Sequence, residues 1–157
     1  MEQLRQFYSG LSKKSFLTLA ISFLLITDVC VLGYIYIKFN NYSFFEKIME
    51  MSLAINGLSV EAMGKDFVTS LHKLFHRSLV ISLSLAAFYH LVNYYYWTKD
   101  KAFAKLYMKV LINAGGPILI LMGISMVFNG AFFGFILLIL GLMDTSLVFG
   151  LQKHQKD

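Results

Sequence analysis

Residues 113–144, NAGGPILILMGISMVFNGAFFGFILLILGLMD, decide the fold class. Between Pro117 and Asp144 there is no charged side chain, and only Ser125 and Asn129 are polar. A helix in water keeps a polar face, whereas a lipid-immersed helix can be apolar around its whole circumference. The stretch therefore predicts two membrane helices folded back on each other at Asn129-Gly130. Glycines recur at a seven-residue interval at Gly116, Gly123 and Gly130, and again at Gly134 and Gly141. That interval returns to nearly the same side of a helix. Gly123, Gly130, Gly134 and Gly141 are thus expected to form a smooth packing stripe on which two antiparallel backbones approach closely. The competing reading turns the stripe towards a lumen or a lipid tail.

Working outward, 57% of the 157 residues are hydrophobic. The expected fold is all-α: one polytopic integral membrane domain over 1–157 with four transmembrane helices. The spans fall at about 15–38, 78–97, 107–128 and 131–150, and residues 40–77 form an amphipathic helical insertion between the first two. A net charge of +5 would suggest nucleic acid in a soluble protein. Here the basic residues lie beside apolar runs, so the bilayer headgroups are the expected partner and nucleic acid is not. Cys30 is the only cysteine and cannot form an intrachain disulfide. The first apolar run is too long, and lacks a small-residue cleavage site, for a signal peptide.

Within the insertion, Phe44, Ile48, Met51 and Ile55 recur at helical spacing, predicting a helix over 43–56 that Asn56-Gly57 stops. Val60, Met63, Phe67, Leu71 and Leu74 begin a second pattern, read as one helix from Ser59 to Trp97 of roughly 58 Å. Tyr94, Tyr95, Tyr96 and Trp97 read as an interfacial belt at its end. Lysines concentrate near the N-terminus, around 99–109 and in the tail at Lys153 and Lys156. By the positive-inside rule both termini are cytoplasmic and the insertion lies outside, in a plasma or inner membrane.

Ionisable groups at membrane depth are costly and mark interiors, cavities or partners. The candidate ion or proton site is Asp28, His90, Asn113 and Asp144. Counted from the cytoplasmic ends of their spans, His90, Asn113 and Asp144 share a depth of roughly 10 Å, with Asp28 roughly 10 Å further out. A carboxylate beside an imidazole in low dielectric can share a proton or hold a cation. The bland counterpart is a hydrogen-bonded lock between helices. Gly115, Gly116 and Pro117 predict a break in the third span, because Pro117 cannot donate to the carbonyl of Asn113. Freed carbonyls can coordinate a cation, as in transporters with broken helices, or the segment can be a plain proline kink.

His72 and His76, four residues apart on one helix face, have the spacing of a shared transition-metal site with Glu61 or Asp66. A solvated or headgroup-contacting face beside Lys73 and Arg77 is the competing reading, and no metal or other cofactor is expected. Haem is not expected either, since His90 is the only histidine well inside a span. No motif of a hydrolase, phosphate loop or metalloprotease occurs, so an enzyme is not expected. The function expected is a small homo-oligomeric channel or carrier for protons, cations or another small solute, using the intramembrane carboxylates and the broken third span. The alternative is a non-catalytic anchor or signalling subunit that docks a protein partner through residues 43–77.

Overall fold

The structure, a computed structural model, describes residues 2–55 and 57–154. All regular elements among them are helical, and four helices are long and apolar enough to cross a membrane. In chain order the elements are α1 (Glu2–Gly10), α2 (Lys13–Asn40), α3 (Tyr42–Ala54), α4 (Val60–Met63), α5 (Lys65–Thr98) and α6 (Ala102–Val110). A π-helical turn at Leu111–Gly115 follows, then α7 (Gly116–Phe128) and α8 (Phe133–His154). The four membrane-length segments are α2, α5, the run Ala102–Phe128, and α8. The chain forms two compact units, one of residues 1–29 with 90–157 and the other of residues 30–89.

The first unit is built around the α7/α8 hairpin. Backbones approach so closely that a methyl group on Gly123 would lie 2.8 Å from the carbonyl oxygen of Gly134, and one on Gly134 would lie 2.7 Å from that of Gly123. Gly116 and Gly141 form a second reciprocal pair, at 3.1 and 2.8 Å. Small-residue packing of this kind is how helices gain dispersion contacts in a solvent as apolar as themselves. Gly130 differs from its expected place in the stripe. It is the turn residue, with φ +73°, and a methyl group on it would have no neighbour within 4 Å. Reversing the chain there needs the left-handed conformation that glycine adopts freely. Gly116, two turns before Gly123, takes its place as the fourth packing glycine.

Around this hairpin pack α1, the first part of α2, the end of α5, and α6. Phe16, Met108, Ile112 and Leu147 are fully buried among them, and Trp97 is nearly so. The α1 helix lies against α8: the Tyr8 hydroxyl hydrogen-bonds Ser146 Oγ at 2.7 Å, and the Lys153 ammonium donates to the Ser9 carbonyl. The ring of His154 stacks on Phe16 at 5.1 Å. The segment before the first span thus contains a helix with a buried anchor, Tyr8. The tail residue Lys156 lies outside the described residues.

The second unit folds α3 back along α5. Asn41 caps α3, its Oδ1 accepting from the Phe44 amide at 3.1 Å. Phe45 then packs on Phe75 and on His72, at ring separations of 5.3 and 5.0 Å. The stop expected at Asn56-Gly57 is seen at Gly57, whose φ is +68°; Asn56 lies outside the described residues. The single helix expected from Ser59 to Trp97 is divided. Gly64, at φ +79°, separates the one-turn α4, capped by Ser59, from α5, since an unhelical glycine conformation ends the hydrogen-bond ladder.

The expected break in the third span is milder than an unwound segment. At Leu111–Gly115 the helix widens into a π turn and then continues through Gly116 and Pro117 as helix. Widening absorbs the missing Pro117 donor within the helix, and such turns recur at functional positions. The span also starts earlier than 107, at Ala102, with Lys105 and Lys109 inside it; their long stems can carry the charge to the interface.

Candidate functional site

Two acid systems diverge from adjacent positions on α2. Neighbouring residues on a helix point about 100° apart, so Asp28 and Thr27 address different partners. Asp28 faces α5: its Oδ1 lies 2.8 Å from His90 Nδ1, and its Oδ2 accepts from the Tyr94 hydroxyl at 2.6 Å. His90 and Tyr94 are one helical turn apart and reach the same carboxylate. Tyr94 is buried, while the Asp28 and His90 side chains keep 17% and 23% of their surface exposed. The Tyr107 ring closes edge-on over His90 at 6.0 Å.

Thr27 faces α8 instead. Its hydroxyl donates to Asp144 Oδ2 at 2.9 Å in a buried contact. Asp144 Oδ1 has no hydrogen-bond partner among the described residues, and neither does the adjacent Thr145 Oγ1. Thr145 sits over the Gly116 backbone where a side chain at 116 would lie. The fourth candidate, Asn113, does not join. Its amide donates to the Lys109 carbonyl of its own helix at 2.7 Å, and the residue is exposed. Back-bonding of this kind is available to polar side chains wherever the ladder is loosened, as it is at the π turn.

The layer expected from depth, His90 with Asn113 and Asp144, is therefore rearranged. His90 pairs with Asp28, Asp144 pairs with Thr27, and Asn113 stands apart. Two contributors escape a reading of the sequence alone. Tyr94 reads as part of the aromatic belt, although its four-residue spacing from His90 is the signal that both share a face. Thr27 carries no signal beyond its place next to Asp28.

The geometry permits proton exchange. A carboxyl group held between a phenol and an imidazole can exchange its acid proton with the ring, since COOH···N and COO⁻···H–N⁺ both keep a hydrogen bond between them. Asp28 and His90 keep part of their surface exposed, whereas Asp144 is buried. His72 and His76 occupy other surroundings. His72 lies between the Tyr42 and Phe45 rings and His76 beside Tyr36, so both imidazoles make aromatic contacts. Among the described residues no three His, Cys, Asp or Glu side chains come together as a metal site would need. Gly115 and Pro117 lie in the third span beside the second acid system, through Gly116 and Thr145.

Comparison with protein families, with characterised proteins and with solved structures returns no match.

Proposed function

We propose that this chain is a small multi-span channel or carrier in which the Asp28–His90–Tyr94 cluster binds and releases a proton or a small cation. The observation that carries this reading is the pairing of a partly exposed carboxylate with an imidazole within helices of membrane length. A lock between helices gains most from complete burial, and Asp144 with Thr27 fits that role better than Asp28 does. Asp144 supports Asp28 by fixing the adjacent turn of α2. The π turn at Leu111–Gly115 leaves a widened stretch in the third span, a feature that recurs at functional positions. Four spans enclose little lumen, so the working form is a homo-oligomer. The membrane is a plasma or inner membrane with both termini cytoplasmic, in keeping with the lysines at 99–109 and 153 and with the docking of α1 on α8.

Reconstitution into liposomes carrying a pH or cation gradient tests this. Wild type is expected to dissipate the gradient, with Asp28→Asn and Asp144→Asn each abolishing flux while leaving assembly intact. Normal transport by both variants would exclude the mechanism.

A second reading has its own support. Met51, Ile55, Leu58 and Phe67 in the second unit are all more than half exposed, an apolar surface suited to an anchor or signalling subunit that docks a protein through residues 43–77. Deleting residues 43–57 should then release a co-purifying partner, and unchanged co-purification would refute that role.

A further inference from the structure

The loop between α5 and α6 meets the start of α2 at a cleft of about 560 Å³. Lys13, Lys14, Lys99 and Asp100 line one part of it, and Leu17 and Ile21 line another. Its construction begins at Asp100. This residue follows the end of α5 in the left-handed conformation, φ +60°, and its amide bonds the Trp97 carbonyl at 3.0 Å. From there its carboxylate takes Lys13 of α2 at 2.7 Å on one oxygen and Lys105 of α6 at 3.1 Å on the other. Three helices are thereby tied together at one carboxylate.

The clamp neutralises Asp100 and leaves cations over. Lys14 and Lys99 have no acidic partner among the described residues; Lys99 lies over the Tyr95 ring at 5.5 Å. The cleft thus carries net positive charge at one end and an aliphatic wall at the other, on the first turns of a helix of membrane length. A volume of this order suits a small amphiphile. A basic rim over an aliphatic wall at a span terminus matches a phosphate-bearing headgroup above its acyl chains.

We propose that this cleft is a binding site for one anionic phospholipid, its phosphate between Lys14 and Lys99 and a chain along Leu17 and Ile21. The site is independent of the Asp28 cluster and of any transport reading. It requires only that α2 enters the bilayer at Lys13–Lys14, where the cytoplasmic orientation of the N-terminus sets the anionic leaflet.

The test is native mass spectrometry of the full chain in mild detergent. It is titrated with phosphatidylglycerol or with phosphatidylcholine of the same chains. Inorganic phosphate and tail-less glycerophosphate serve as competitors. Wild type should retain one phosphatidylglycerol in clear preference to phosphatidylcholine. Lys14→Gln and Lys99→Gln should each weaken that retention roughly fivefold. The pair Lys47→Gln with Lys65→Gln removes positive charge from the second unit instead and should leave retention unchanged. Millimolar phosphate or glycerophosphate should not displace the lipid. Equal retention of both lipids, or undiminished retention in the Lys14 and Lys99 variants, would overturn the proposal. Displacement by phosphate would overturn the lipid in favour of a free anion.

Discussion

The α7/α8 hairpin and the Asp28 cluster lie in the same unit and are held by opposite physics. The hairpin has almost no polar side chains at its interface. It is stabilised by backbone against backbone, with glycines where any side chain would collide with a carbonyl oxygen. Its strength is dispersion spread over many atoms, each contributing little. The Asp28 cluster is the reverse: few atoms, short hydrogen bonds, and one partly exposed carboxylate. The hairpin has one good arrangement. The cluster can keep its Asp28–His90 hydrogen bond with the proton on either partner, and the proposed exchange rests on that property.

Substitutions can break the comparison on either side. The largest effect should come from Gly134→Val or Gly123→Val, which force side-chain atoms into carbonyl oxygens and should cost about 3 kcal/mol. Unfolding in detergent measures this, with Gly33→Ala as the control. No atom lies within 4 Å of a methyl group at position 33, so that variant should be neutral or slightly stabilised. Next comes Thr27→Val. It removes the hydroxyl that donates to buried Asp144 and should cost about 2 kcal/mol, since a buried carboxylate is then left without that partner.

Tyr94→Phe should cost less, about 1 kcal/mol, because His90 still holds Asp28 and transmembrane hydrogen bonds are individually modest. If Tyr94→Phe proved as damaging as Gly134→Val, the cluster would be a structural lock and the contrast would fail. The smallest effect belongs to Asp100. Hydrogen bonds from Lys13, and then Lys105, hold its carboxyl below the ordinary carboxylate range. A depressed acid stabilises the fold above its unfolded value and loses that contribution as pH falls through its folded value. Melting curves of wild type and Asp100→Asn should differ slightly near neutrality and converge in acid below the ordinary carboxylate range. A gap that persisted there would mean that the clamp is not electrostatic.

The two regions also differ in how far the sequence reveals them. The hairpin is local: its glycines repeat at a helical interval and its turn is marked by Asn129-Gly130, so the close approach follows from periodicity alone. Gly130 is the exception, because a residue that completes a repeat can equally be the turn that ends it. The acid systems are made by residues 62 and 117 positions apart. Counting along each span estimates depth but gives neither the stagger of neighbouring helices nor the direction each residue faces. Those are set by packing around Phe16, Trp97 and Met108, and they bring Asp28 to His90 although depth alone separates the two. Gly64 is hidden for a simpler reason. It directly precedes the uninterrupted run from Lys65, and apolar spacing on both sides of it continues as if one helix crossed it.

The measurement that tests the central claim most directly is Asp28→Asn examined for gradient dissipation in liposomes and for thermal unfolding on the same preparation. If the cluster is an exchanging site, flux disappears and the unfolding midpoint stays close to that of wild type, because asparagine can still accept from Tyr94. A midpoint that falls sharply while flux persists would contradict the account and assign Asp28 to holding α2 and α5 together.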